Sequence, residues 1–166
     1  MTISRLTPVS RPGIRSIAIL AVLLVSCSAN AADLPTVCQQ QDLPATSTGP
    51  GVMLRELIGR GTALDSRSRL ASVAWFRLLP GHASAWSHNR RGEEAFLVLA
   101  GTGSVWIGNQ SQPVGPGSYI LVQPAMIRSI RADREQALEF YAITAPAWSR
   151  ADDVLVAPPA GAPHSD

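Results

Sequence analysis

Five side chains between positions 86 and 128 are of the types that bind or transform small molecules: Trp86, His88, Arg90, Glu94 and Arg128. A neutral imidazole and a carboxylate can ligate a metal or move a proton. A guanidinium stays protonated, has no lone pair, and holds anions through a planar fork of N–H donors. On an extended strand the side chains at i and i+2 share a face, so Trp86, His88 and Arg90 are expected to point the same way, with Glu94 joining them from the next strand. Glu93 then faces away from Glu94, and the two carboxylates cannot work on one bond. His82 lies six residues from His88, ~20 Å along an extended chain, so the two cannot share an ion. His164 sits in the tail and is given no role. Cys38 is the one thiol beyond the N-terminal apolar segment. It has no second cysteine for an internal disulfide and no nearby histidine to activate it.

The elements that must carry these residues are strands. From Gly51 onward, short runs of β-branched and aromatic residues are broken by Gly and Pro about every ten residues, the spacing of an all-β sandwich or barrel. The pattern predicts strands near Met53–Leu57, Ser72–Leu79, Ser84–His88, Ala95–Ala100, Gly103–Ile107, Ser118–Val122, Ile127–Arg131 and Ala137–Thr144. Turns are expected at Pro80-Gly81, Gly101, Gly108 to Gln110 and Pro116-Gly117. No stretch of convincing length has the helical period.

The segment 80–101, PGHASAWSHNRRGEEAFLVLAG, resembles the first motif of the cupin family. That motif runs Gly, five or six residues, His-x-His, three or four residues, Glu, six residues, Gly. Gly81, His88, Glu94 and Gly101 stand at those places, and Arg90 takes the second histidine position. The family's second motif is Gly, five residues, Pro-x-Gly, two residues, His. It is matched here from Gly117, with Gln123, Ala125 and Arg128 in the proline, glycine and histidine places. Trp148 and the Asp152-Asp153 pair look like the closing segment of small single-domain cupins. The resemblance covers Leu57 to Val154 and implies an all-β fold, a single double-stranded jelly-roll β-barrel.

In metal-bearing relatives three histidines and a glutamate converge inside the barrel. With arginine at two of the four places, His88 and Glu94 are the metal candidates that remain, fewer than the three protein ligands a tight centre uses. No cofactor is therefore expected, with a divalent metal as the secondary reading. The resemblance instead implies a ligand site of His88, Arg90, Glu94 and Arg128 with Trp86 as aromatic wall. If Glu94 neutralises one arginine, the other is left to bind a small anion. A polar network that only fixes the core is the competing reading. The alternative function is a cupin enzyme, either a mononuclear-metal dioxygenase or isomerase, or a metal-free lyase or epimerase using His88. A third reading makes the barrel a scaffold and the N-terminal arm the contact element.

Residues 1–31 have the layout of a secretory signal: Arg5, Arg11 and Arg15, the apolar run Ile17 to Val25, then small residues. That run is shorter than the ~20 residues a membrane span needs. Ala29-Asn30-Ala31 fits cleavage before Ala32, giving a periplasmic or secreted protein, while Leu24-Val25-Ser26-Cys27 resembles a lipobox that would anchor the chain through Cys27. Residues 32–50 read as a polar arm, 51–154 as the domain and 155–166 as a disordered tail. All fourteen basic residues are arginine, and three lie in the signal, leaving eleven against twelve acidic ones. A near-neutral domain without a basic stripe argues against nucleic acid. The expected partners are a small molecule and a second copy of the chain.

Overall fold

The computed structural model describes residues 37–62 and 66–162. The signal with Cys27, the start of the arm, and His164 lie outside the described residues. The strands form two antiparallel sheets. The first has six in the order β1 (Thr46–Gly49), β2 (Val52–Ile58), β3 (Ser72–Leu78), β10 (Leu138–Ala145), β5 (Glu93–Ala100) and β8 (Tyr119–Val122). The second has five: β11 (Asp153–Leu155), β4 (Ser87–Asn89), β9 (Arg128–Ala132), β6 (Gly103–Ile107) and β7 (Gln110–Val114). This is the jelly-roll architecture, with one departure from expectation. Among the described residues no strand ladder joins one sheet to the other, so the sheets form an open sandwich, not a closed barrel.

Period-two burial builds the interior. In β5, Glu94, Phe96 and Val98 face inward while Glu93, Leu97 and Leu99 face out; in β10, Leu138, Phe140, Ala142 and Thr144 are the buried set. Phe140 sits at the centre of the core, stacked on Phe76 with ring centroids 5.2 Å apart and met edge-on by Phe96, also at 5.2 Å. The β5–β6 turn depends on Gly101, whose φ of +78° and whose approach to Ala137 leave no room for a side chain: a Cβ there would lie 1.9 Å from the Ala137 carbonyl oxygen.

Three strands escape the sequence pattern, β1, β7 and β11. Each is a sheet edge. Thr46–Gly49, assigned to the arm, pairs with β2, and the described part of the expected tail, 155–162, packs on the domain where disorder was expected. Leu155 belongs to β11, the Val156 N–H donates to the Trp86 carbonyl at 2.9 Å, and Ala162 is buried.

Candidate functional site

The phase of β4 decides which side chains enter the interior. Ser87 and Asn89 are buried, while His88 between them is half-buried and faces the other way. Arg90 lies past the strand's end and is exposed, with its backbone N–H donating to the Asp152 carbonyl at 2.9 Å. The expectation that His88 and Arg90 point inward is therefore wrong by one residue. The motif spacing allows both registers: counted with five residues after Gly81 and four before Glu94, it puts Ser87 and Asn89 in the two histidine places.

Trp86 shares the outer face with His88. It is buried there against Trp106, ring centroids 6.0 Å apart at 69°. Trp106 neighbours the core residue Val105 on β6 and so lies on the opposite, outer side of the sheet. Trp86 and His88 therefore do not wall the interior.

Inside, Arg128 from β9 is the centre of a cluster. Its Nε lies 2.5 Å from Glu94 Oε2, its NH1 donates to the Ser87 hydroxyl, and NH1 is 3.6 Å from Asp153 Oδ1. The ladders place these partners: Ser87 is opposite Arg128, and Asp153 is opposite Asn89. Glu94 comes from the other sheet, so the ion pair crosses between the layers. Burial raises the Glu94 pKa, against the attraction and hydrogen bond of Arg128, and the Asp153 carboxylate pushes the same way as burial. Asp153 was missed as a site residue, although its place in the closing segment was visible. Its neighbour Asp152 holds the β4–β5 turn by accepting from the backbone N–H groups of Arg91 and Gly92, the latter at 2.9 Å.

Residues 74–144 match the Cupin domain family. Among solved structures, the chain is similar to the polyketide cyclase RemF from Streptomyces resistomycificus, at 18% identity over 76% of this chain and 89% of that one, with a TM-score of 0.62. It is also similar to Streptomyces PAC13 with uridine, at 18% identity over 75% and 92% with a TM-score of 0.60. Rru_A2000 from Rhodospirillum rubrum, a cupin-2 domain, aligns at 16% identity over 75% and 82% with a TM-score of 0.57. Residues 74–144 form a cupin domain. Comparison with curated proteins finds no match.

In the register that burial selects, the domain keeps one of the four ligand types of the motif. The four places hold Ser87, Asn89, Glu94 and Arg128, of which Glu94 alone is an ordinary metal ligand. The pair His88 and Glu94 does not converge, because the two side chains lie on opposite faces of the sheet that carries β4. Among the described residues no group of three His, Cys, Asp or Glu side chains could hold an ion. The residues present do not fit the family's metal.

The open side of the sandwich provides a cleft of about 600 Å³ between β6–β7 and β8. Ile107, Ile120 and Met126 give it an apolar wall, and Gln112, Ser118 and Tyr119 a polar rim. Ile107 is directly opposite Arg128 in the β6–β9 ladder, so the cleft lies one strand away from the cluster. The loop between them is fastened by the Ala125 N–H, which donates to the Asn89 carbonyl at 2.7 Å.

Proposed function

We propose that this cupin binds a small, neutral, hydrogen-bonding molecule in the cleft between β6–β7 and β8, without a resident metal. The observation that carries the reading is the lining: an apolar wall rimmed by amides and hydroxyls, including Asn109 and Gln110, with no charged side chain among the lining residues. Such a surface suits a flat or ring-shaped body with polar substituents. Uridine, present with Streptomyces PAC13, has that chemistry.

The earlier expectation of an anionic ligand rested on two convergent arginines. Only Arg128 reaches the interior, and it faces the carboxylates of Glu94 and Asp153, so the surplus positive charge does not assemble. A metal-free reaction using His88 also loses support, since His88 lies on the outer face and does not line the cleft.

The test is a thermal-shift screen of neutral nucleosides and glycosides against nucleotides and organic acids. A neutral ligand at a hundred times its Kd should stabilise by about 2.7 kcal/mol, on the order of 10 °C. Ile120→Trp, which fills the cleft, should remove that shift. Stabilisation by anions alone, lost in Arg128→Ala, would restore the arginine-centred reading.

Export belongs to the same proposal and is supported by the sequence layout of residues 1–31. Cell fractionation with mass analysis of the mature N-terminus separates the two processing routes: Ala32 for soluble release, an acylated Cys27 for anchoring.

A second copy of the chain is the partner we assign to the outer face of the six-stranded sheet. Leu97, Leu99, Tyr119, Leu121 and Ile143 form a contiguous exposed patch at the β8 edge, with Tyr119 85% and Leu121 57% exposed. These five leave on the order of 500 Å² of apolar surface, the upper end of what a monomer shows. That is more than half of the roughly 800 Å² each partner gives to a stable interface. None of the five is charged, and the carboxylates of Glu93 and Glu139 stand on the same face at its margins.

A further inference from the structure

We infer that the Arg128 guanidinium is a built-in replacement for the metal ion of this fold, an internal cation held by what remains of the ligand set. The inference rests on the metal-free part of the reading above and is independent of which molecule the cleft takes.

Three observations carry it. Arg128 stands at a ligand position of the motif, yet its side chain takes the place an ion would take: it binds Glu94 and the Ser87 hydroxyl and faces Asp153 of β11 at 3.6 Å, an ion pair without a hydrogen bond. Metal and guanidinium also exclude each other. A divalent ion sits within about 2.0–2.6 Å of its oxygen ligands, and the space beside Glu94 Oε2 is taken by Arg128 Nε at 2.5 Å. At the first histidine place of the motif stands Ser87, whose hydroxyl oxygen accepts from an Arg128 N–H as no protonated ring nitrogen could. The Asn89 side chain is buried, and its Oδ1 has no hydrogen-bond partner. Asn89 is therefore not one of the groups that Arg128 contacts, and the acceptors facing the guanidinium are Glu94, Ser87 and Asp153.

An internal cation can be taken out and supplied again from solution. Arg128→Ala should lower the Tm by roughly 10 °C or more, since it strands a buried carboxylate. Methylguanidinium at ~10 mM should recover several degrees in that variant and none in the wild type, whereas an equal concentration of sodium chloride should do neither.

Metal analysis gives the second arm. The wild type, incubated with Zn²⁺, Ni²⁺ or Mn²⁺ and desalted, should retain none in proportion to chain. Ser87→His/Asn89→His/Arg128→His should retain about one ion per chain and lose it on adding Glu94→Gln. The other register, Arg90→His/Arg128→His with His88 in place, should retain none. Failure of methylguanidinium to rescue Arg128→Ala, or a stoichiometric metal in the wild type that Glu94→Gln removes, would overturn the inference. If the triple variant does not fold, the rescue experiment decides. Neither arm depends on the ligand screen, which can fail while this inference stands.

Discussion

At the residue scale, the chemistry of the interior turns on Glu94. A carboxylate taken out of water prefers its proton, and Arg128 offsets that preference only in part, so the pKa lies above the ordinary 4.5. Between 4.5 and that raised value the folded chain holds a proton that the unfolded chain releases. Stability therefore falls as pH rises through this window, and the contribution present below it is lost above it. Glu94→Gln should remove this part of the slope, seen as a flatter dependence of the urea midpoint on pH upward from 4.5. The residue scale is also where the sequence was hardest to read. Glu94 and Arg128 were legible because the glycine spacings place them, but Ser87 and Asn89 were not. A histidine in a motif attracts the alignment to itself, and only burial shows that His88 is one step out of phase with the interior.

At the element scale, the strands that could be read are those with two unlike faces. β5, β6 and β10 alternate between core and surface while β3 also buries Trp75 on its outer side, and the places of all four were foreseen to within two residues. β1, β7 and β11 are edges with short or polar sequences such as TSTG and QSQPV, and a strand that buries little leaves little pattern. The loop before β9 records a different departure. Ala125 has a φ of +64° at the place where the family's second motif has glycine. A Cβ in the left-handed region costs about 1–2 kcal/mol, partly returned through the unfolded chain's lower freedom. Ala125→Gly should accordingly stabilise the domain by about 0.5–1 kcal/mol, measured by equilibrium denaturation.

At the scale of the whole molecule, the two faces of the six-stranded sheet tell unlike stories. The inner face closes the core, and its composition made the fold class legible from alternation and turn spacing. The outer face near β8 leaves Tyr119 and Leu121 in solvent, and β8 itself, with the sequence YILV, has neither charge nor proline to keep another strand away. Tyr119→Glu/Leu121→Glu should convert a self-associating species to a monomer in analytical ultracentrifugation while leaving the core and its melting cooperativity intact. An unchanged monomer in both proteins would remove the second copy as the occupant of this face. The open seam between β7 and β8 could not be foreseen, because the sequence pattern of a sandwich and that of a barrel are the same until the edges are seen to meet or not.

The ion pair that crosses between the layers has a kinetic meaning. Glu94 and Arg128 are 34 positions apart, on strands of different sheets. Neither charge gains by leaving water until the sheets have docked, so the contact belongs to the last step of folding. It then acts as a latch. Breaking it should leave the rate of folding nearly unchanged and speed unfolding, so the loss in Arg128→Ala should fall on the unfolding arm of a chevron plot. Under the export proposed above, with no ATP-driven refolding at hand, a slow unfolding rate is the form of stability that determines how long the protein lasts.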